Sequence, residues 1–161
     1  MERMNCDVFM LNGDKYKGKR IYITGSLYAG DGCYVKADIN VGEDVFSGNN
    51  VDIRHIRAGG NVSLGDYVDA WDIHANGDIF LGDNADTLDV YAGNNVSIGD
   101  NAKTGYIHAE GDISIGNDAD TSCINAGGDV SLGDNPDTGH IYVNGKISLG
   151  RNPDTRGIFK L

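Results

Sequence analysis

The stretch Ile73-His-Ala-Asn-Gly-Asp-Ile-Phe-Leu-Gly-Asp-Asn-Ala-Asp-Thr-Leu-Asp89 decides the fold, because its pattern of residues returns every 17 positions along the chain. The clearest mark of this period is a series of glycines, each placed 17 residues after the one before: Gly65, Gly82, Gly99, Gly116, Gly133 and Gly150. A fixed period of this size is typical of repeat proteins, in which each unit contacts only its neighbours. The sequence therefore predicts a stack of similar units.

Within one unit, two short runs alternate apolar and polar residues. Ile73-His-Ala75 and Ile79-Phe-Leu81 have the period of two that a half-buried strand requires. Between them lies Asn76-Gly77, which predicts a turn with a positive φ at the glycine. No stretch keeps the apolar spacing of an amphipathic helix. The pattern predicts an all-β protein, a single-stranded parallel β-solenoid (β-helix), whose coils are stacked ~4.8 Å apart.

This pattern divides the chain into a solenoid and a segment that precedes it. The solenoid is predicted to span residues 21–161, with regular 17-residue coils over 56–158 and irregular coils over 21–55. Residues 1–20 fall outside the pattern and are predicted to form an N-terminal cap over the first coil. About nine coils would make a rod roughly 45 Å long at ~4.8 Å per coil.

The irregular coils are recognised by their local similarity to the regular ones. Val45-Phe-Ser-Gly-Asn-Asn-Val-Asp-Ile53 reads like Val90-Tyr-Ala-Gly-Asn-Asn-Val-Ser-Ile98, so the two stretches are predicted to occupy equivalent places in their coils. This alignment implies that the corners of the coils before Ile56 are shortened.

Composition and charge exclude several classes of function. The 161 residues form one domain by size, and the net charge of −11 argues against nucleic acid, which needs a basic surface. No apolar run approaches the ~20 residues of a membrane span, and the N-terminus lacks the apolar segment of a signal peptide. The three cysteines share no metal-ligand spacing and suit a reducing compartment. We therefore expect a cytoplasmic protein without a membrane span, and a processed extracellular chain is the alternative.

Because the coils stack, each outward position becomes a column of side chains. One column at a corner consists of Asp66, Asp83, Asp100, Asn117, Asp134 and Arg151. A second is predicted to present threonines to solvent, namely Thr87, Thr104, Thr121, Thr138 and Thr155. The acidic column has two interpretations: a row of calcium sites, or Asx-turns in which each carboxylate accepts backbone N–H groups of its own corner. We favour Asx-turns, since Asn117 and Arg151 interrupt what would be a row of calcium ligands.

A third feature is a strip of aromatic and histidine side chains on the outside of one strand. All four histidines fall on it, and its members are Tyr22, Tyr34, Phe46, His55, His74, Tyr91, Tyr106, His108, His140 and Tyr142. The rings either stack and cover the sheet, or they form a contact surface for a protein or glycan partner. A metal site around Asp72, His74, Tyr106 and His108 closes no ligand set, so no metal is expected.

Enzymatic function is not expected from this sequence. Hexapeptide acyltransferases also form β-solenoids, but their period of six does not divide 17. The chain contains no phosphate-binding loop, nucleophile elbow or zinc-protease motif. We therefore expect no catalytic residues and no cofactor.

The strands and turns of single coils, called rungs below, resemble those of a known family. Ile107-His-Ala-Glu-Gly-Asp-Ile-Ser-Ile115 and Ile141-Tyr-Val-Asn-Gly-Lys-Ile-Ser-Leu149 are similar to the rungs of bactofilins, the polymer-forming bacterial cytoskeletal β-solenoids. The resemblance covers residues 21–158 and implies nucleotide-free, end-to-end polymerisation into a scaffold. Ile124-Asn-Ala-Gly-Gly-Asp-Val-Ser-Leu132 equally resembles the repeats of filamentous-haemagglutinin adhesins, which are secreted.

The last coil suggests where such a rod would self-associate. The sequence Arg156-Gly-Ile-Phe-Lys-Leu161 places one apolar strand in a new coil, and an open coil exposes unpaired strand edges. We expect Ile158, Phe159 and Leu161 to form an assembly interface, so that the protein is a homo-oligomer or filament. The alternative is a binding module that uses the aromatic strip.

Overall fold

The computed structural model describes residues 20–161 in full and, before them, the backbone of residues 2–4, 8–11 and 15–16. The described residues form strands only, and they contain no helix that could cross a membrane. The strands are β1 (Glu2–Met4), β2 (Val8–Leu11), β3 (Lys15–Tyr16), β4 (Arg20–Ile23), β5 (Ser26–Ala29), β6 (Tyr34–Val41), β7 (Val45–Ser47), β8 (Asp52–Ala58), β9 (Val62–Leu64), β10 (Asp69–Ala75), β11 (Ile79–Leu81), β12 (Asp86–Ala92), β13 (Val96–Ile98), β14 (Lys103–Ala109), β15 (Ile113–Ile115), β16 (Asp120–Ala126), β17 (Val130–Leu132), β18 (Asp137–Val143), β19 (Ile147–Leu149) and β20 (Asp154–Lys160).

From β6 onward, long and short strands alternate along the chain, and all the described strands separate into two parallel sheets. The long strands join in an 11-stranded sheet that ends at β20, and the short strands join in a 9-stranded sheet that ends at β19. Each strand pairs with the strand one coil away, as β10 pairs with β8 and β12. This architecture confirms the predicted all-β parallel β-solenoid.

The core is a set of columns in which one apolar residue per coil lies against its equivalents. The column through Ile73, Val90 and Ile107 is fully buried, and so is the column through Val62, Ile79 and Val96. A side chain in such a column contacts the coils before and after it. Burial of aliphatic side chains contributes about 1.5–3 kcal/mol each, so the stack is stabilised by contacts between coils.

The threonine column points into this core, and the prediction that it faces solvent is wrong. Thr87, Thr104, Thr121 and Thr138 are buried, and their hydroxyls have no hydrogen-bond partner among the described residues. The reason is a bend in each long strand: Leu88 and Asp89 both face outward, which interrupts the alternation between Thr87 and Val90. A strict period of two therefore assigns the wrong face to every residue before the bend.

The register of the early coils also differs from the prediction. Val45 pairs with Leu27 and Val62, so β7 is a short strand and not the equivalent of the strand that holds Val90. Val45 and Val62 are one full period apart. The irregularity is an extra residue between Val35 and Asp38, where the register shifts, and the coils before Ile56 are not shortened.

The strands before residue 20 continue the stack. β1 pairs in parallel with β4, β2 pairs with β5, and β3 pairs with β6. Half of the residues of the predicted cap over residues 1–20 lie outside the described residues.

Candidate functional site

Two columns of outward polar residues form ladders of hydrogen bonds along the corners of the solenoid. In the first ladder, a side-chain oxygen of Asp66 accepts a hydrogen bond from the backbone N–H of Asp83, one coil later, at 2.9 Å. In the second, the side-chain oxygen of Asn61 accepts from the N–H of Asp78 at 2.8 Å. The first ladder contains Asp31, Asn49, Asp66, Asp83, Asp100, Asn117, Asp134 and Arg151. The second contains Asp44, Asn61, Asp78, Asn95, Asp112, Asp129 and Lys146.

The ladders explain why glycine precedes most of their members. A Cβ at Gly77 would lie 2.1 Å from the side-chain oxygen of Asn61, and a Cβ at Gly82 would lie 2.3 Å from that of Asp66. Glycine is therefore needed at Gly77 for close approach of two coils, and the predicted positive φ at this residue is wrong. Left-handed backbone occurs instead one residue after each first-ladder position, at Gly32, Asn50, Tyr67, Asn84, Asn101, Asp118, Asn135 and Asn152.

This geometry favours the Asx interpretation of the acidic column over a row of calcium sites. The carboxylates accept backbone N–H groups, as expected, but the donor belongs to the next coil and not to the same corner. Within the described part of the chain, no group of three or more His, Cys, Asp or Glu residues is placed to hold a metal ion. At Arg151 the guanidinium also donates to Asp134 at 2.8 Å, and this hydrogen bond holds the pKa of Asp134 below its usual value.

The aromatic strip consists of two neighbouring columns on the long strands. Eight of the predicted residues lie in register there, and Phe159 joins them, which gives Tyr22, His55, His74, Tyr91, Tyr106, His108, His140, Tyr142 and Phe159. From the sequence, Phe159 is expected only as part of the assembly interface, but its pairing with Tyr142, 17 residues earlier, places it in the aromatic strip as well.

Tyr34 and Phe46 lie outside this strip, contrary to the prediction. Tyr34 pairs with Asp52 at the start of the long strands, because the register shift follows it. Phe46 lies on the other sheet, where its ring stacks on Tyr28 at a centroid distance of 4.9 Å. Both misplacements follow from the wrong alignment of the early coils.

The rings of the strip stack along the axis of the solenoid. The rings of His74 and Tyr91 are 4.6 Å apart and nearly parallel, and those of Tyr142 and Phe159 are 5.1 Å apart. Between these two groups the amide of Asn125 donates to the Tyr106 hydroxyl at 3.3 Å. Ring stacking therefore accounts for part of the strip, while the half-buried rings leave faces and edges open to a partner.

The charges around the strip are mixed. His55 Nδ1 lies 2.9 Å from a carboxylate oxygen of Asp72. Burial lowers the pKa of His74 below its usual value, and the Arg57 guanidinium nearby acts in the same direction. The lowered pKa of His74 favours its neutral imidazole at neutral pH.

A cleft opens beside the first rungs of the strip. It has a volume of about 660 Å³ and is lined by Tyr22, Asn40 and Arg57 together with the corner glycines Gly42 and Gly59. This cleft therefore brings together an aromatic ring, an amide and a guanidinium from consecutive coils.

The β20 end of the solenoid, defined as residues 144–161, exposes apolar and cationic side chains. Ile158, Phe159 and Leu161 are exposed, as predicted for the assembly interface. This segment contains four Lys or Arg residues, namely Lys146, Arg151, Arg156 and Lys160, and one acidic residue, Asp154. Residues 21–143 instead contain 20 acidic and four basic residues. The β20 end therefore differs in charge from the body of the rod.

A second exposed apolar surface was not predicted. We define the Tyr67 patch as Tyr67, Asp69, Trp71 and Leu88; Tyr67, Trp71 and Leu88 are 59%, 46% and 57% exposed. The signal was present in the sequence as a departure from the repeat. Positions equivalent to Tyr67 hold Asn, Asp or Gly, and those equivalent to Trp71 and Leu88 in later coils hold Gly, Ser or Arg.

No protein family, curated protein or solved structure matches this chain. The likeness to bactofilins therefore rests on the pattern and size of the rungs alone.

Proposed function

We propose that this protein is a non-enzymatic structural β-solenoid that self-associates through its β20 end into a filament or oligomeric scaffold. The observation that carries the proposal is the exposure of Ile158, Phe159 and Leu161 on β20, which is the edge strand of the larger sheet. An edge strand offers unpaired N–H and C=O groups to another chain, and exposed apolar side chains add contact area.

The rest of the surface supports a structural role. Two of the repeated outward columns are the Asx ladders, which join each coil to the next. Their side-chain oxygens are engaged with backbone N–H groups, so these positions serve the stability of the rod.

Ile158→Asp is expected to abolish self-association, because a carboxylate on the exposed edge cannot be buried in an apolar contact without a partner. Light scattering and electron microscopy of the purified chain would measure the change in mass and shape. Phe80→Asp is the matched control, since Phe80 is equally exposed but lies on the other sheet. A wild-type chain that remains a monodisperse monomer would contradict the proposal.

A second candidate function is that of a binding module. It is favoured by the stacked rings of the strip and by the cleft at Tyr22 and Arg57, since Tyr and Arg are enriched at interfaces. The partner would be a protein or a glycan that covers the exposed ring faces.

Under this second candidate, Tyr91→Ala and Tyr142→Ala are each expected to weaken binding at least tenfold, as loss of an aromatic anchor does at interfaces. A panel of defined oligosaccharides and an affinity pull-down would provide the ligands, and titration would measure their dissociation constants. Phe80→Ala should leave binding unchanged. Equal affinities for the wild type and both tyrosine variants would exclude the strip as the binding surface.

A further inference from the structure

We propose that the β20 end of one copy docks on the Tyr67 patch of a second copy. This inference rests on the proposed self-association and names the surface that receives the β20 end. It predicts a contact between the end of one rod and the side of another.

The patch offers an apolar surface in two adjacent coils. Trp71 and Leu88 occupy equivalent positions one coil apart, and Tyr67 lies at the corner that leads into the strand of Trp71. The guanidinium of Arg54 lies 4.9 Å from the centre of the Trp71 ring, which leaves the other parts of the ring exposed. Exposed aromatic side chains of this kind are common anchors of protein interfaces.

A column of carboxylates runs through the patch. Asp69 pairs in register with Asp52 on one side and with Asp86 on the other. Burial raises the pKa of Asp69 above its usual value, and the charges of Asp52 and Asp86 add to this effect. A cationic partner would relieve the repulsion within the column.

The β20 end has the matching chemistry. It combines the exposed apolar residues Ile158, Phe159 and Leu161 with an excess of cationic side chains. Lys160 lies between two of these apolar residues, and its ammonium group donates to the carbonyl oxygen of Gly145. An apolar surface with positive charges thus faces an apolar surface with negative charges, which is the complementarity that favours association.

Contact between the two ends of the rod lacks this complementarity. The strands β1, β2 and β3, which lie at the other end of the stack, contain two basic residues, Arg3 and Lys15, and one acidic residue, Glu2. Both ends therefore carry an excess of positive charge, while the Tyr67 patch lies in the acidic body of the rod.

A substitution at Tyr67 can distinguish an effect on self-association from an effect on the stability of the fold. Its φ is 55°, a conformation that a tyrosine rarely adopts, whereas the equivalent Asn84 and Asn101 suit it. Tyr67→Asn should therefore raise the melting temperature and yet weaken self-association. A merely structural residue would change both in the same direction.

The decisive experiment is a charge swap measured by sedimentation velocity. Asp69→Lys and Lys160→Glu should each raise the dissociation constant of self-association at least tenfold at low salt. The chain carrying both substitutions should recover an affinity within about threefold of the wild type, because the two charges have exchanged places. Glu110→Lys and Arg57→Glu are exposed controls with the same charge changes outside the carboxylate column, and neither should alter the affinity.

Three outcomes would overturn the inference. If Ile158→Asp abolishes association while Asp69→Lys and Trp71→Ala do not, the copies associate end to end, and the proposed function survives without the Tyr67 patch. If the wild type is monomeric at every concentration, both proposals fall. If the patch binds a basic, apolar peptide while the chain stays monomeric, the occupant is a different protein and not a second copy.

Discussion

Ile107→Ala is expected to lower the free energy of unfolding by about 2–5 kcal/mol, the usual cost of truncating a fully buried aliphatic side chain. Ile107 is 0% exposed and packs in its column between Val90 and Ile124. The parallel strands hold the coils at a fixed spacing, so neighbouring side chains cannot close the cavity. Urea unfolding followed by circular dichroism would measure the loss.

The same column supplies the control. Ile158 occupies the equivalent position on β20 but is 42% exposed. Ile158→Ala should therefore cost about 1 kcal/mol or less, since its methyl groups are partly hydrated already. Equal losses at Ile107 and Ile158 would contradict the assignment of the buried column.

Gly77→Ala is expected to cost about 1–3 kcal/mol, because the new Cβ would occupy the place of the Asn61 side-chain oxygen. The substitution should disturb the second ladder at its bond from Asp78 N–H to Asn61. Thermal and urea unfolding would measure the change in stability.

A double-mutant cycle separates the steric effect from the general cost of changing a glycine. In an Asn61→Ala background the side-chain oxygen is absent, and the next nearest heavy atom of another residue, the backbone carbon of Gly60, is 3.2 Å from the new Cβ. Gly77→Ala should then cost less than half of its cost in the wild type. Additive effects would show that the glycine serves a different purpose.

Two coils already contain a side chain at this position, Glu43 and Asn94. At Asn94 the bond from Asn95 N–H to Asp78 is 3.0 Å, the longest in the second ladder. The other bonds of that ladder measure between 2.6 Å and 2.8 Å, as at Lys146 and Asn61. The structure thus accommodates the extra side chain by a small shift of the rung.

The sequence predicts the fold class because its period is a property of the whole chain. Ile73 and its equivalents mark the core at every coil, and no tertiary detail is needed to align them. The Thr87 column could not be assigned to the interior, since the bend at Leu88 and Asp89 changes the alternation and leaves no local signal. The reason for Gly77 was also out of reach, because the atom that requires it belongs to the preceding coil.

The register of the coils before Ile56 could have been predicted from the 17-residue spacing, but local sequence similarity gives a wrong alignment. Val45 resembles Val90 in its local surroundings, yet its distance of one full period from Val62 is the reliable indicator. That error placed Tyr34 and Phe46 in the strip, while His74, Tyr91 and the other members in the regular coils were placed correctly. The repeat does not predict the Tyr67 patch. Tyr67, Trp71 and Leu88 differ from the residues at the equivalent positions of the other coils, so they form no repeated column.

The Asx ladders have a consequence for how the length of this rod can change. Each ladder bond joins residues one period apart, as between Asp83 and Asp100 or Asn61 and Asp78, so every interior unit offers the same bonds above and below. Duplication or loss of one whole unit leaves both ladders continuous and moves the ends of the rod by ~4.8 Å. The distance between the two ends of the rod can therefore be adjusted only in fixed steps of one coil, as in a molecular ruler.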